Sequence, residues 1–227
     1  MKARPFLAAL AASLLGAGLL AQEAKPAETP KAETKAPAAA AKPKTEPVAV
    51  LETTAGKIVI QFFPDKAPNH VKNFLNLCKS GFYNGTKFHR VIPGFVIQGG
   101  DPNTKKDDTS LWGTGGNVGP DGKEKTLKAE FNDVHHGRGI VSMARAADPD
   151  SASSQFFICV ADATALDRKY TAFGRVIEGM DVVDKIVSAP TVGGPTDPEG
   201  SRPRNPVTIT KARVEQRPVE VPAATAP

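Results

Sequence analysis

The chain is poor in the residue types that carry covalent, redox or metal chemistry. Its 227 residues include two cysteines, four histidines and one tryptophan. Cys78 and Cys159 both stand in apolar runs, so burial as small hydrophobes is expected over pairing. His135 and His136 are adjacent in a Gly-rich segment, and neither has a partner at metal-ligand spacing, so no metal is expected. Charge of either sign is sparse in clusters. The 29 basic and 24 acidic residues leave +5, with no Lys/Arg block and no basic stretch interleaved with aromatics. That pattern gives no ground for a nucleic-acid partner. Long apolar runs are missing too: the run from Phe6 to Leu20 falls short of the roughly 20 residues that span a bilayer.

What is present begins with that run. Lys2 and Arg4 precede it, and small residues around Ala21 offer a cleavage point, the pattern of a secretory signal over 1–21. No Cys follows Ala21, which argues against a lipid-modified terminus. Export is expected, to a periplasm, with no stable membrane insertion after cleavage. Residues 22–47 shift to Ala, Pro, Lys, Glu and Thr without aromatics. Such a segment cannot bury enough surface to offset its ordering entropy and reads as a disordered linker. The tail at 216–227 reads the same way. The remainder, 48–215, is long enough for one domain with a real core.

Within that domain, 48–53 and 57–63 are strand-like, with Ile58, Ile60 and Phe62 in period two. Pro68 suits a first helical turn, and Val71, Phe74, Leu75 and Cys78 follow on one helical face, with Gly81 as the stop. A strand is expected over 86–98, then a long loop over 99–138. Strands at 139–144, 155–160 and 172–177, a helix at 179–187 and a strand at 206–214 complete the pattern. Many short strands with Gly/Pro turns and two helices imply a β-barrel or sandwich with helices over its open ends.

Several chemistries fail on inspection. Gly113, Gly115, Gly116 and Gly119 lack phosphate-loop spacing and a Walker lysine. Ser142, Ser151, Ser153 and Ser154 lack a nucleophile-elbow context, and Asp107-Asp108 lies in a polar loop where solvation suffices. The stretch 88–100, FHRVIPGFVIQGG, is different, because it sets Arg90 and Gln98 among apolar residues around a Pro-Gly break. Alternation places Arg90, Ile92, Val96 and Gln98 on one face if the break keeps the phase. A kink is expected at Pro93-Gly94. Either the aromatics are core and Arg90 is paired with an acid, or the stretch forms a concave apolar surface carrying one cation and one amide. Pattern alone leaves both readings standing.

FHRVIPGFVIQGGDP, followed by GIVSMARA, SSQFFICVAD, an LD pair and FGRVIEGMDVVDKI, resembles the cyclophilin family of peptidyl-prolyl isomerases over about 48–215. It is closer to bacterial envelope-type members than to eukaryotic cytosolic ones. Cytosolic members carry Trp before the Leu-Asp pair and His a few residues later, where this chain has Ala165 and Tyr170. The resemblance implies a mainly β fold: a closed eight-stranded antiparallel β-barrel capped by two α-helices. It implies cis-trans isomerisation of X-Pro bonds without a cofactor. Arg90 would stabilise the twisted imide nitrogen, Gln98 would hold Arg90 and contact substrate backbone, and Phe95 would floor the proline ring. Val96, Phe157, Leu166 and Phe173 would line the pocket, with Tyr170 beside them. The main chain of Arg145 and the side chain of Gln155 would grip the substrate backbone. Met often stands in the family where this chain has Val96. Ala165 removes an aromatic from the rim, which implies weak binding of the cyclic immunosuppressant peptide typical of the family. The implied partners are proline-containing unfolded or newly exported polypeptides, and a monomer is expected. A second reading is a proline-segment receptor or holdase with incidental catalysis, but retention of both Arg90 and Gln98 favours the enzyme.

Overall fold

Alternating branched and aromatic residues on one side, and a proline-initiated apolar stripe on the other, set the two kinds of layer in this domain. The computed structural model describes residues 44–194 and 197–218. The expected signal, nearly all of the expected linker and the end of the tail lie outside the described residues. The strands are β1 (Thr45–Thr53), β2 (Gly56–Phe62), β3 (Arg90–Ile92), β4 (Val96–Gly99), β5 (Ile140–Met143), β6 (Phe156–Cys159), β7 (Ala172–Glu178) and β8 (Ile209–Pro218). Two helices accompany them, α1 (Pro68–Lys79) and α2 (Met180–Val187). β1 begins three residues before the expected domain start at 48, and β8 runs three beyond its expected end at 215. The reason is mutual: Thr45, Glu46 and Pro47 pair with Pro218, Arg217 and Gln216.

The strands form one antiparallel sheet in the order β3-β4-β6-β5-β7-β2-β1-β8. The expected closed barrel is therefore corrected to an open, curled sheet, because β3 and β8 stand at opposite ends of the order and share no ladder. β3 is only three residues long, and its Val91 N–H donates to the Ser201 carbonyl (2.7 Å) instead of to a strand. The gap is crossed just before β3. Gly85 N–H donates to Ile209 O and Ile209 N–H to Thr86 O, both at 2.8 Å, and Phe88 N–H donates to Val207 O at 3.0 Å.

The inside of the curl is filled. Leu51, Ile58, Ile60, Val91, Ile97, Val141, Phe156 and Ile158 point into it and are fully buried. α1 covers one opening. Its Phe74 ring sits 5.0–5.2 Å from those of Tyr83, Phe156 and Phe173, an aromatic cluster that adds to plain area burial. Leu77 joins Val71, Phe74 and Cys78 on the buried face, and Leu75 packs against the same core half-buried. The segment 99–138 is not structureless. It contains short 3-10 turns at Pro102–Lys105 and Thr109–Leu111. It also sends Glu130 to the start of α1, where the carboxylate accepts from the N–H groups of Asn69 and His70 (3.1 and 3.0 Å). That carboxylate supplies the capping that Ala67 lacks. No helix among the described residues is long and apolar enough to cross a membrane.

Candidate active site on the outer face of the sheet

The site begins at the Pro-Gly break. Ile92, Pro93, Gly94 and Phe95 form a tight turn closed by Phe95 N–H to Ile92 O (3.0 Å), with Gly94 at φ +72. Proline in the second position and a left-handed glycine in the third are what this turn requires. The expected single strand over 86–98 is thus corrected to a hairpin, and the Pro-Gly pair reverses the chain rather than kinking it. The register pairs Arg90 with Gln98, Val91 with Ile97 and Ile92 with Val96. Val91 and Ile97 face the filled interior, so Arg90, Val96 and Gln98 face outward. Gly100 closes the segment at φ +86, where a Cβ would come within 2.6 Å of the Ser154 carbonyl oxygen.

Pairing carries the outward row across four strands: Arg90 on β3, Gln98 on β4, Phe157 on β6 and Ser142 on β5. In the next row Val96 stands opposite Cys159. Together with Ala163 these make a second apolar cluster, separate from the interior, with Phe95, Ala144, Leu166 and Tyr170 packed against it. The cluster walls a cavity of about 240 Å³ lined by Arg90, Phe95, Val96, Gln98, Ala144, Arg145, Phe157, Leu166 and Tyr170. Tyr170 meets Phe157 edge to face, with centroids 5.6 Å apart. Gln155 stands in an adjoining cavity of about 230 Å³ that shares Gln98, Ala144 and Arg145 with the first. Phe173 is the exception among the expected lining residues. It is fully buried in the interior, stacked on Phe62 and tilted against Phe74, on the other side of the sheet.

The polar rim is ordered by hydrogen bonds. Gln155 Nε2 donates to the carbonyls of Gly113 (2.9 Å) and Gly115 (2.8 Å), which turns its amide oxygen toward Gln98 Nε2 (2.9 Å). Gln98 in turn presents Oε1 to Arg90 Nη1 at 3.4 Å. The other edge of the guanidinium belongs to Glu199: Nε donates to Oε2 (2.8 Å) and Nη2 to Oε1 (2.5 Å). Arg90 is therefore both paired with an acid and part of an apolar cavity, so the two readings of its sequence pattern hold together. Those hydrogen bonds hold the Glu199 carboxyl below the usual range. The side chain of Arg145 stacks over Tyr170 (4.7 Å) and donates to the carbonyls of Ala146 (2.8 Å) and Lys169 (3.0 Å).

Beneath the cavity, His136 N–H donates to Asp167 Oδ1 (2.8 Å), and the Nδ1 of its ring lies 2.9 Å from the same oxygen. Its Nε2 lies 3.1 Å from Ser142 Oγ. Serine, histidine and aspartate in this order suggest a hydrolytic triad, but Ser142 is fully buried and has no path to a substrate. Burial pushes the His136 pKa down. The neutral ring, donating from Nδ1 to the carboxylate, accepts from the Ser142 hydroxyl. Among the described residues no three His, Cys, Asp or Glu side chains are placed to hold a metal ion. Cys78 and Cys159 are buried and unpaired.

Sequence reasoning missed four contributors. Gly113 and Gly115 act through their carbonyls, which leave no trace in composition. Ala144 is too small to draw notice. Glu199 lies 109 residues from Arg90 in the chain, beyond any local pattern.

The outward-facing cavity is sized for a small ring, and its lining holds two arginines, Arg90 and Arg145, and no Ser, Cys, His, Asp or Glu. The model of the cyclophilin type peptidyl-prolyl cis-trans isomerase/CLD family matches residues 48–214. Named peptidyl-prolyl cis-trans isomerases are similar in sequence. One from Acinetobacter baylyi is 45% identical over 151 residues, 62% of this chain and 72% of that one. One from Schizosaccharomyces pombe is 42% identical over 164 residues, 71% of this chain and 95% of that one. The crystal structure of a Cryptosporidium parvum cyclophilin type peptidyl-prolyl cis-trans isomerase superposes with a TM-score of 0.65 at 29% identity, covering 77% of this chain and all of that one. A second structure of it, in the presence of the dipeptide Ala-Pro, gives a TM-score of 0.64. The chain belongs to the cyclophilin family, and is an enzyme of the peptidyl-prolyl cis-trans isomerase class.

Proposed function

We propose that this site catalyses rotation about X-Pro bonds in unfolded or newly exported polypeptides, with Arg90 stabilising the twisted imide. The observation that carries this reading is the position of the Arg90 guanidinium at the rim of a ring-sized apolar cavity. The planar peptide owes its barrier of about 18–20 kcal/mol to resonance between nitrogen and carbonyl. Twisting the bond ends that resonance, and the nitrogen becomes pyramidal with a lone pair able to accept a hydrogen bond. An N–H of Arg90 aimed at that nitrogen binds the twisted form better than either planar isomer, which is what lowers a barrier. The proline ring sits on Phe157, which takes the floor position expected for Phe95, with Phe95, Val96 and Leu166 around it. Burying three methylenes there contributes about 2 kcal/mol of binding. Gln98, Gln155 and the main chain of Arg145 hold the flanking backbone, so that rotation occurs about one bond of a fixed chain. No group is transferred, and the products differ from the substrate only in geometry.

The site of action we propose is outside the cytoplasm, on the strength of the basic-then-apolar N-terminal sequence. X-Pro isomerisation takes tens to hundreds of seconds uncatalysed, slow enough to limit folding after export. The test is isomerisation of a short X-Pro peptide by the full chain and by Arg90→Ala. The substitution is expected to cost about a hundredfold or more in kcat/KM while peptide binding persists. Equal rates would end this reading, and a loss of rate that only followed a loss of peptide binding would show Arg90 acting in binding rather than on the twisted bond.

A further inference from the structure

Arg90, together with Gln98, lines two cavities. One is the apolar cavity with Phe95 and Phe157. The other is a larger polar one, about 460 Å³, lined by Arg90, Gln98, Trp112, Asp197 and Glu199 among others. Glu199 lines only the second. It takes Nε and Nη2 of Arg90 side-on, while the Gln98 contact to Nη1 is long at 3.4 Å. An arginine side chain has four rotatable bonds and considerable rotamer entropy to lose. One long hydrogen bond does not hold it, whereas a two-point fork to a carboxylate fixes both its position and the plane of the group.

Glu199 is itself held. Ser201 Oγ donates to its Oε2 at 2.9 Å. The loop carrying both is tied around Asp197, whose carboxylate accepts from the N–H groups of Gly193 (3.2 Å), Ser201 (3.1 Å) and Arg202 (2.9 Å). The same loop docks on the open edge of β3, where Val91 N–H donates to Ser201 O at 2.7 Å. Val91 is the neighbour of Arg90. The loop therefore grips the backbone and the side chain of adjacent residues at once.

We propose that Glu199 is a positioning residue for Arg90: it clamps the guanidinium from the face opposite the proline cavity and leaves Nη1 directed to the reacting bond. This rests on the reading of Arg90 as the catalytic cation. A carboxylate beside the cation also weakens its field, so two opposite effects compete. Orientation wins, because a cation free to swing into solvent stabilises no particular nitrogen.

The experiment compares the full chain with Glu199→Ala, Glu199→Gln and Arg90→Ala, measuring kcat and KM separately on an X-Pro peptide. Glu199→Ala is expected to lower kcat about tenfold with KM within about twofold of wild type. Glu199→Gln, which keeps one acceptor oxygen, is expected to recover part of that loss. In the double variant with Arg90→Ala, removing Glu199 should cost nothing further. The NMR signal of the Arg90 Nε–H should be protected from exchange in the wild type and should broaden in Glu199→Ala. An unchanged or raised kcat in both Glu199 variants would overturn the proposal. So would a loss confined to thermal stability. If Glu199→Ala fails to fold, Glu199→Gln decides alone by the same criterion. Should Arg90→Ala match the wild type, the role of Arg90 itself falls; should Arg90→Ala be inactive and the Glu199 variants normal, only the clamp does.

Discussion

The imidazole of His136 lies beneath the ring of Phe157, with centroids 6.2 Å apart and planes 25° from parallel. The floor of the apolar cavity thus rests on a ring that is hydrogen-bonded on two sides, by Asp167 and Ser142. A floor supported this way keeps one height. Replacing His136 by Leu leaves the buried Ser142 hydroxyl without that partner, which costs about 1–3 kcal/mol. The urea midpoint should fall accordingly, and KM for an X-Pro peptide should rise as Phe157 settles. An unchanged midpoint would show that the ring is not a support.

Phe157 and Phe173 give opposite expectations from the same substitution. Phe157→Leu alters the cavity floor, so KM should rise several-fold. Phe173→Leu opens a void among Phe62 and Phe74, so stability should fall by about 1–3 kcal/mol while KM stays within about twofold. Denaturation curves and steady-state kinetics on both variants separate the two faces of the sheet. A raised KM in the Phe173 variant would place that ring in the site after all.

Acid should weaken the fold through Asp167. The hydrogen bond from His135, then the His136 N–H, hold its carboxyl well below the usual range. A carboxyl with a depressed folded pKa lends stability above its unfolded value, about 3.9, and loses it as pH falls toward the folded one. His136, pushed down by burial, acts in the same direction, its contribution eroding below about pH 6.5. His135, raised chiefly by its hydrogen bond to Asp167, acts oppositely and loses its contribution as pH rises through its folded value. The melting temperature should therefore drop below about pH 4, and more steeply in the wild type than in Asp167→Asn. Parallel acid limbs in the two proteins would contradict this.

The two cysteines should be inert in the native state. Burial pushes both thiols up to about 12, and the thiolate is the reactive form. Iodoacetamide at pH 8 should leave the native chain unlabelled and add two groups in denaturant, as read by intact mass. Labelling of the native chain, or a mass lower by two hydrogens, would run against this.

The helix α1 was legible because its evidence is local: Pro68 at the start and apolar residues one turn apart. The site was legible in part for a subtler reason. Alternation assigns Arg90, Ile92, Val96 and Gln98 to one face whether the strand continues or reverses across 93–95, so the face was right although the hairpin was not foreseen. Phe173 went the other way because the pocket role carried over to it from the family does not fit its place in β7, where a register shift against β5 next to Ala172 accompanies a ring turned into the interior. The open edge at β3 and the carboxylate that arrives there from Glu199 depend on pairings between distant segments. Composition and spacing contain neither.

The outward placement of the Arg90–Gln98–Phe157 row decides how a polypeptide can reach it. The lumen of the curled sheet is packed solid by Phe74, Phe156 and Phe173, and no strand has to pass through it. On the proposed reading a chain is laid across the outside, so neither terminus would have to be presented. A proline in the middle of a long segment, or at the tip of a loop protruding from an otherwise folded client, would then be as accessible as one in a short peptide.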